Sequence, residues 1–143
     1  MGTIEIKFKK LDPRARTPVY AYPGDAGADV FALEDTTLEP GVPMRIRTGF
    51  ALEFSPGYVA LFWDKSGLST KHGLRTLGGV IEYGYRGEYQ VGMINLGTEP
   101  YHFRAGDKVA QLLIQPVETA DFVEVEELSE TERGEKAFGS TGK

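Results

Sequence analysis

Residues 44–63 read MRIRTGFALEFSPGYVALFW, and this stretch decides the fold class. Its first half alternates between apolar and polar residues, and a repeat of two is typical of a β-strand with one buried face. The apolar face comprises Met44, Ile46, Phe50, Leu52 and Phe54, and the opposite face carries Arg45, Arg47 and Glu53. The run Tyr58–Trp63 is nearly continuous in apolar residues. It predicts a strand buried on both faces, in a sandwich core or a subunit interface.

The same patterns recur on both sides of this stretch. Alternation or an apolar run is found at Ile4, Ile6 and Phe8, at Val109–Ile114, and at Val123 and Val125 between glutamates. The chain's eighteen glycines and eight prolines fall between such segments, as turns do in an all-β protein. The runs are too short and too rich in aromatic and β-branched residues for helices. The sequence therefore predicts an all-β fold, either a β-sandwich, a barrel or a jelly roll.

Two segments depart from this pattern. Ser66–His72 is the one plausible helical turn, with Ser66 as a candidate N-cap. Residues 133–143 read RGEKAFGSTGK, which is glycine-rich and polar with a single aromatic residue, Phe138. We expect residues 1–132 to form the β core and residues 133–143 to form a flexible arm. The arm is either a frayed end or a lid that contacts phosphates.

Composition restricts the kinds of function. The 143 residues suit one domain, and the absence of cysteine excludes disulfides and thiolate metal sites. A net charge of −5 argues against a nucleic-acid surface. No apolar run could span a membrane and no signal peptide is evident, so we expect a cytoplasmic protein. Such a chain binds a small polyanion only through local lysines, arginines, backbone N–H groups and a divalent cation.

Two short stretches in the first half of the chain are candidates for such a site. Residues 26–30 read AGADV, and Asp29 is by itself most simply a turn aspartate. Residues 64–69 read DKSGLS, where a strand gives way to a glycine-containing turn. Free N–H groups at such a turn, with Lys65 and Ser66, could bind phosphate. An ordinary capped turn explains the same residues equally well.

Two further stretches follow. Residues 78–88 read GGVIEYGYRGE and predict a β-hairpin that brings Glu82 close to Tyr85. Its glycines around an acid and two tyrosines favour a site over a plain hairpin. Residues 104–112 read RAGDKVAQL, and Gln111 in this apolar strand requires hydrogen-bond partners. A structural partner is the usual explanation for such a glutamine.

Taken in order, these stretches resemble the motifs of the trimeric dUTPase family. AGADV is similar to the first motif, DKSGLS to the second, GGVIEYGYRGE to the third, GDKVAQLL to the fourth and RGEKAFGSTG to the fifth. The resemblance extends from about Ile4 to Gly142. It implies a jelly-roll-like fold and a homotrimer with active sites at subunit interfaces. It also implies magnesium-assisted hydrolysis of dUTP to dUMP and pyrophosphate.

The resemblance also implies a role for residues in each motif. Lys65, Ser66 and Gly67 would bind the phosphate chain, which Gln111 would reach from the adjoining subunit. Asp29 would hold the magnesium-bound triphosphate through water, since magnesium retains several waters and takes phosphate oxygens.

The third and fifth motifs would hold the nucleoside. Tyr85 would lie against the deoxyribose and exclude a 2′-hydroxyl, and Glu82 would activate the attacking water. The backbone that pairs with uracil would come from Gly79, Val80 and Ile81. The arm would close over the nucleotide, with Phe138 stacked on uracil and further contacts from Arg133, Gly139, Ser140 and Thr141.

The chain departs from the family pattern at three positions. Glu82 stands where the family has aspartate, which moves the carboxylate one methylene outward and could misplace the attacking water. Lys65 replaces the usual arginine, and an ammonium group cannot reproduce a planar fork. Ala137 replaces a frequent glycine in the arm.

Three other functions remain open from the sequence. The first is a dUTP-binding or regulatory relative that hydrolyses slowly, which Glu82 keeps possible. The second is a dCTP deaminase, which would need Glu82 or Glu88 to activate water at cytosine. The third is a structural β-sandwich. His72 and His102, far apart and without clustered acids, make a poor metal site.

Overall fold

The computed structural model describes residues 2–139, 141 and 142. Within these residues the chain forms eleven short strands and one helix. In chain order they are β1 (Lys7–Lys10), β2 (Ala28–Phe31), β3 (Thr36–Leu38), β4 (Met44–Arg47), β5 (Phe50–Glu53), β6 (Tyr58–Trp63), α1 (Ser66–His72), β7 (Leu74–Leu77), β8 (Val80–Ile81), β9 (Gln90–Asn95), β10 (Tyr101–Phe103) and β11 (Lys108–Pro116).

The four-stranded sheet β2-β11-β6-β8 is the largest sheet of the described chain. Its long strand β11 pairs antiparallel with β2 on one side and with β6 on the other. In this register Gln111 lies opposite both Asp29 and Trp63. Directly opposed residues on antiparallel strands share a face, so these three side chains lie on the same side of the sheet.

Three smaller sheets complete the fold, with strand orders β4-β9-β7, β1-β5 and β10-β3. The apolar faces of the sheets meet in one core. Its most deeply buried large side chains are Tyr89, Phe50, Phe103, Leu38, Ile46, Leu74 and Met93. The predicted all-β class is confirmed.

The stretch that predicted the fold class forms three strands, and the first two, β4 and β5, are joined at Thr48 and Gly49. Gly49 has a φ of 78°, and a Cβ there would lie 2.8 Å from Leu33 Cδ1. Only glycine fits this bend without strain. It lets Ile46 and Phe50 both reach the core, whereas Met44 at the start of β4 stays 36% exposed.

The predicted helix has the bounds that the sequence indicated, but its cap differs. The N-cap is Lys65 in an extended conformation, without a side-chain capping bond, and Ser66 is already helical. The prediction that Ser66 caps the helix was therefore wrong. The helix ends at Gly73, which has a φ of 70° and donates its N–H to carbonyl oxygens of the last turn.

The predicted β-hairpin of residues 78–88 is also wrong in its pairing. β8 pairs with β6, while β9 belongs to the sheet with β4 and β7. The two strands on either side of this turn therefore lie in different sheets. The turn crosses from one sheet to the other, and a space opens beside it.

Beyond Pro116 the described residues contain no helix or strand. Val123 and Val125 are 72% and 56% exposed, so the half-buried strand predicted there is wrong for the single chain. Alternation of apolar and polar residues indicates that one face of a strand could be buried. It does not show whether another strand lies against that face. No helix among the described residues is long and apolar enough to cross a membrane.

Candidate active site

A cavity of about 350 Å³ lies where the chain crosses between the two sheets. Five residues to which the family resemblance gives a role at the nucleoside line it together: Gly79, Val80, Ile81, Glu82 and Tyr85. Five other lining residues had been given no role there: Arg45, Phe62, Glu88, Tyr89 and Gln90. Arg45, Phe62 and Gln90 lie on strands β4, β6 and β9, whose pairing could not be read from the sequence, and Glu88 and Tyr89 directly precede β9.

Two glycines bring the backbone of the chain close to β6 at one edge of the cavity. Gly78 and Gly79 have φ values of 70° and 103°, which other residues rarely adopt. The carbonyl oxygen of Gly79 accepts a hydrogen bond from the Phe62 N–H at 2.9 Å. A Cβ at Gly79 would lie 3.0 Å from the Phe62 carbonyl oxygen. The backbone here is thus both fixed and uncovered by side chains, as a site that reads a ligand through its backbone requires.

The turn that follows holds the two side chains of chemical interest. The Tyr85 N–H donates to the Glu82 carbonyl oxygen at 3.1 Å, and the Tyr85 hydroxyl donates to the Glu88 carbonyl oxygen at 2.9 Å. The Tyr85 ring is therefore fixed against the turn. The Glu82 side chain is exposed and has no hydrogen-bond or ion-pair partner among the described residues. Its carboxylate is free to act on a ligand or a water.

Glu88 anchors the far end of the turn. It accepts bonds from the Arg47 guanidinium at 3.2 to 3.3 Å and from the Gly49 N–H at 3.2 Å. The side chain thus serves the structure, tying the turn to the bend between β4 and β5. This contact argues against the deaminase alternative in so far as that alternative uses Glu88.

Tyr89 lies beneath the cavity with its hydroxyl buried. The residue is 1% exposed, and its hydroxyl has no hydrogen-bond partner within the part of the chain that the structure describes. Burial raises the pKa of Tyr89 to about 12. The ring centroid lies 6.0 Å from that of Tyr85, so Tyr89 supports the wall of the site from below.

A second group of predicted residues surrounds Asp29. The carboxylate is 4% exposed and lies between two ammonium groups, 2.5 Å from Lys65 Nζ and 3.0 Å from Lys108 Nζ. Burial alone would raise the pKa of Asp29, but the bonds from both lysines lower it below its ordinary value. Lys108 had been given no role, because only the register of β11 against β2 reveals its partner. Two cations for one carboxylate leave a surplus positive charge, which suits a polyanion.

Gln111 joins Asp29 to the start of the helix. Its Nε2 donates to the carbonyl oxygen of Asp64 at 2.8 Å, directly before Lys65 and the helical residues Ser66 and Gly67. A Cβ on Gly27 would lie 2.3 Å from Gln111 Oε1, so glycine is needed there for the amide to fit. The structure therefore groups residues of the first, second and fourth motifs.

Asp29 and the cavity lie at opposite edges of the four-stranded sheet. Asp29 is on β2 and the cavity borders β8, with β11 and β6 between them. Three strand spacings amount to about 14 Å. Of the arm, Arg133 Nε donates to the Lys136 carbonyl oxygen, and Phe138 is fully exposed. Gly139 and Thr141 are joined to neither group by a described hydrogen bond, and Ser140 lies outside the described residues.

The described residues contain no cluster of three His, Cys, Asp or Glu side chains that could hold a metal ion. Asp29 is buried, and both of its oxygens are occupied by lysines. This donor set fits a cation that arrives on a polyphosphate better than a resident metal.

Comparison with known proteins identifies the family of this chain. The family model described as dUTPase matches residues 14–142. A deoxyuridine 5′-triphosphate nucleotidohydrolase of Thermobifida fusca is 46% identical over 99% of this chain and 80% of its own. That of Corynebacterium diphtheriae is 46% identical over 96% of this chain and 92% of its own.

Solved structures give the same result. The dUTPase of Staphylococcus bacteriophage 80alpha with dUPNHPP superimposes with a TM-score of 0.87 at 32% identity, covering 98% of this chain and 99% of that one. A dUTPase of phage phi11 of S. aureus, described with a structural Mg(II) ion, has a TM-score of 0.80 at 30% identity and covers 86% and 97%. With the family model matching most of its length, this chain belongs to the dUTPase family.

Proposed function

We propose that this protein hydrolyses dUTP to dUMP and pyrophosphate. The observation that carries the proposal is the cavity in which an unpaired Glu82 and a fixed Tyr85 face a glycine-bounded backbone edge. The two bacterial relatives described above are deoxyuridine 5′-triphosphate nucleotidohydrolases, and the bacteriophage dUTPase is described with dUPNHPP.

The cavity would select uracil and deoxyribose. Backbone groups of Gly79, Val80 and Ile81 supply a fixed hydrogen-bonding edge, and a base with the wrong donors leaves buried groups unpaired. We expect the fixed backbone of the turn to exclude the methyl group of thymine. Tyr85 packs against the sugar and excludes a 2′-hydroxyl.

Glu82 activates the attacking water. A carboxylate takes a proton from water as the water attacks the α-phosphorus, and pyrophosphate leaves on the opposite side. The exposed, unpartnered side chain described above supports this role. Positioning of the water then decides the rate, because a displacement of about 1 Å can cost about a hundredfold.

The group around Asp29 receives the triphosphate. Lys65 and Lys108 supply charge, Ser66 and Gly67 supply the free N–H groups of the helix start, and Gln111 adds an amide. Magnesium bound to the substrate would balance the charge of the leaving pyrophosphate, and Asp29 would hold the hydrated ion through water.

We further propose a homotrimer whose sites are shared between chains. Exposed apolar side chains support an assembly, among them Val42, Met44, Trp63, Leu77 and Val80. Trp63 lies 53% exposed on the outer face of the sheet, so its predicted place in a core is wrong and a place in an interface stays open. The distance between Asp29 and the cavity is also explained if one chain supplies the cavity and another the phosphate-binding group.

A pyrophosphate-release assay with dUTP, dCTP, dTTP and UTP in the presence of magnesium tests the proposal. We expect turnover of dUTP and little of the others. Tight binding of dUTP with negligible turnover would instead identify a binding or regulatory relative, and ammonia release from dCTP would identify a deaminase.

A further inference from the structure

The turn that carries Glu82 and Tyr85 separates two cavities. Glu82 and Tyr85 line the candidate active site, while Tyr83 and Arg86 line a second cleft of about 520 Å³ on the other side. The position of this thin wall sets the width of the active site. A contact made to this turn from the second cleft therefore affects which ligands fit the candidate active site.

The Arg86 side chain holds the turn by hydrogen bonds to the backbone of the turn. Its Nη1 donates to the Tyr83 carbonyl oxygen at 2.6 Å and to the Tyr85 carbonyl oxygen at 3.3 Å. Its Nε lies 3.4 Å from Oε1 of Glu53, at the end of β5. One planar guanidinium thus joins two carbonyl groups of the turn to a strand of the core.

Glu53 is itself held in place. Its second carboxylate oxygen lies 2.9 Å from Nζ of Lys7 on β1, the strand paired with β5. The side chains of Arg86 and Glu53 are half exposed, so the contact adds little to global stability. Its effect is local, because it fixes the two carbonyl groups on either side of the turn's tip.

We propose that Arg86 is a positioning residue for sugar discrimination: from the outer cleft it sets the place of Tyr85 and so the exclusion of a 2′-hydroxyl. The inference rests on the proposed function. A lysine cannot replace the arginine, because a single ammonium group lacks the fork that reaches the carbonyl groups and the carboxylate together.

The test compares kcat/KM for dUTP with kcat/KM for UTP in the wild type, Arg86→Lys, Glu53→Gln and Arg14→Lys. Arg14 is the matched control, since it is equally exposed and makes a forked contact with Asp12 outside both cavities. For Arg86→Lys we expect the dUTP-to-UTP ratio to fall about tenfold, because small displacements at a positioned group carry large costs. For Glu53→Gln we expect a smaller fall in the same direction, and for Arg14→Lys an unchanged ratio.

The outcomes separate the two proposals. A wild type that does not hydrolyse dUTP would overturn the proposed function, and this inference with it. An active wild type with the same ratio in Arg86→Lys, or an equal fall in the Arg14→Lys control, would overturn the inference alone. Since Glu53→Gln leaves the arginine in place, an unchanged ratio in that variant contradicts the anchoring even if Arg86→Lys fails to fold. Melting temperatures of all four proteins show that any change is not one of folding.

Discussion

At Glu82 the chain carries a carboxylate one methylene longer than the aspartate of the family pattern. The turn around it places this longer side chain at the cavity, where the carboxylate has no partner in residues 2–139, 141 and 142. We expect Glu82→Gln to lower kcat by about 10²–10⁴-fold, because the amide cannot accept a proton. We expect Glu82→Asp to lower kcat by about a hundredfold, since the shorter side chain leaves the water misplaced.

Single-turnover pyrophosphate release checks both variants, with the affinity for dUPNHPP as the control for binding. The affinity should change little in either, because the change lies at the reacting atoms. A Glu82→Asp variant that turns over faster than the wild type would contradict the assignment. It would support the binding or regulatory relative instead.

The buried hydroxyl of Tyr89 is the second feature at this scale. Removing an unpaired buried hydroxyl relieves its desolvation, so we expect Tyr89→Phe to raise the free energy of unfolding by about 1 kcal/mol. The raised pKa of Tyr89 gives a pH signature. Stability is unaffected below pH 10, falls as the unfolded tyrosine ionises, and levels off above about 12.

Urea unfolding across this alkaline range measures both effects. In Tyr89→Phe the free energy of unfolding should fall less at alkaline pH, because the contribution of Tyr89 is absent. Tyr22→Phe, which alters an exposed tyrosine, is the control and should leave stability at neutral pH unchanged. A destabilised Tyr89→Phe would show that the hydroxyl has a partner after all.

Among the elements, the turn between β8 and β9 contains two glycines, and the position of the Tyr85 ring depends on one of them. A Cβ at Gly87 would lie 2.4 Å from the Tyr85 hydroxyl oxygen, whereas a Cβ at Gly84 meets nothing within 4 Å. Gly87→Ala must therefore displace the Tyr85 ring. We expect kcat/KM for dUTP to fall about tenfold or more, with poorer rejection of UTP.

Gly84→Ala provides the matched control, because it adds the same methyl group to the same turn in open space. Its kinetics should equal those of the wild type. Equal losses in both variants would mean that the stiffness of the turn matters rather than the place of Tyr85. Steady-state assays with dUTP and UTP distinguish these results.

The elements also show what a sequence can predict. The helix bounds and the strands around Ile46, Phe50 and Val109–Ile114 follow from local patterns, and the structure reproduces them. Partners do not follow from such patterns. Lys108 reaches Asp29 only through the register of β11, and the turn of residues 78–88 joins two sheets although its glycines are those of a hairpin. The residues near a site were thus predictable from motifs, whereas the contacts that hold them were not.

On the scale of the molecule, the fold ends before the chain does. The last strand of the described chain, β11, ends at Pro116, and the described residues beyond it are exposed, with Phe122 and Phe138 among them. This arrangement leaves the apolar residues of the last segment available to other chains of an assembly. Sedimentation equilibrium should give three times the mass of one chain, and a monomer that hydrolyses dUTP would contradict shared sites.

The arm of residues 133–143 provides the last prediction. If it closes over the nucleotide, removing it should leave the oligomeric state and the melting temperature unchanged, because its described hydrogen bonds are all local. Activity should nevertheless fall by about a hundredfold, since closure orders the triphosphate and excludes water. Phe138→Ala should reproduce part of this loss, whereas Phe122→Ala alters an equally exposed ring outside the arm. Comparable losses of activity in both phenylalanine variants, with the trimer intact, would show that the arm has no special role at the site.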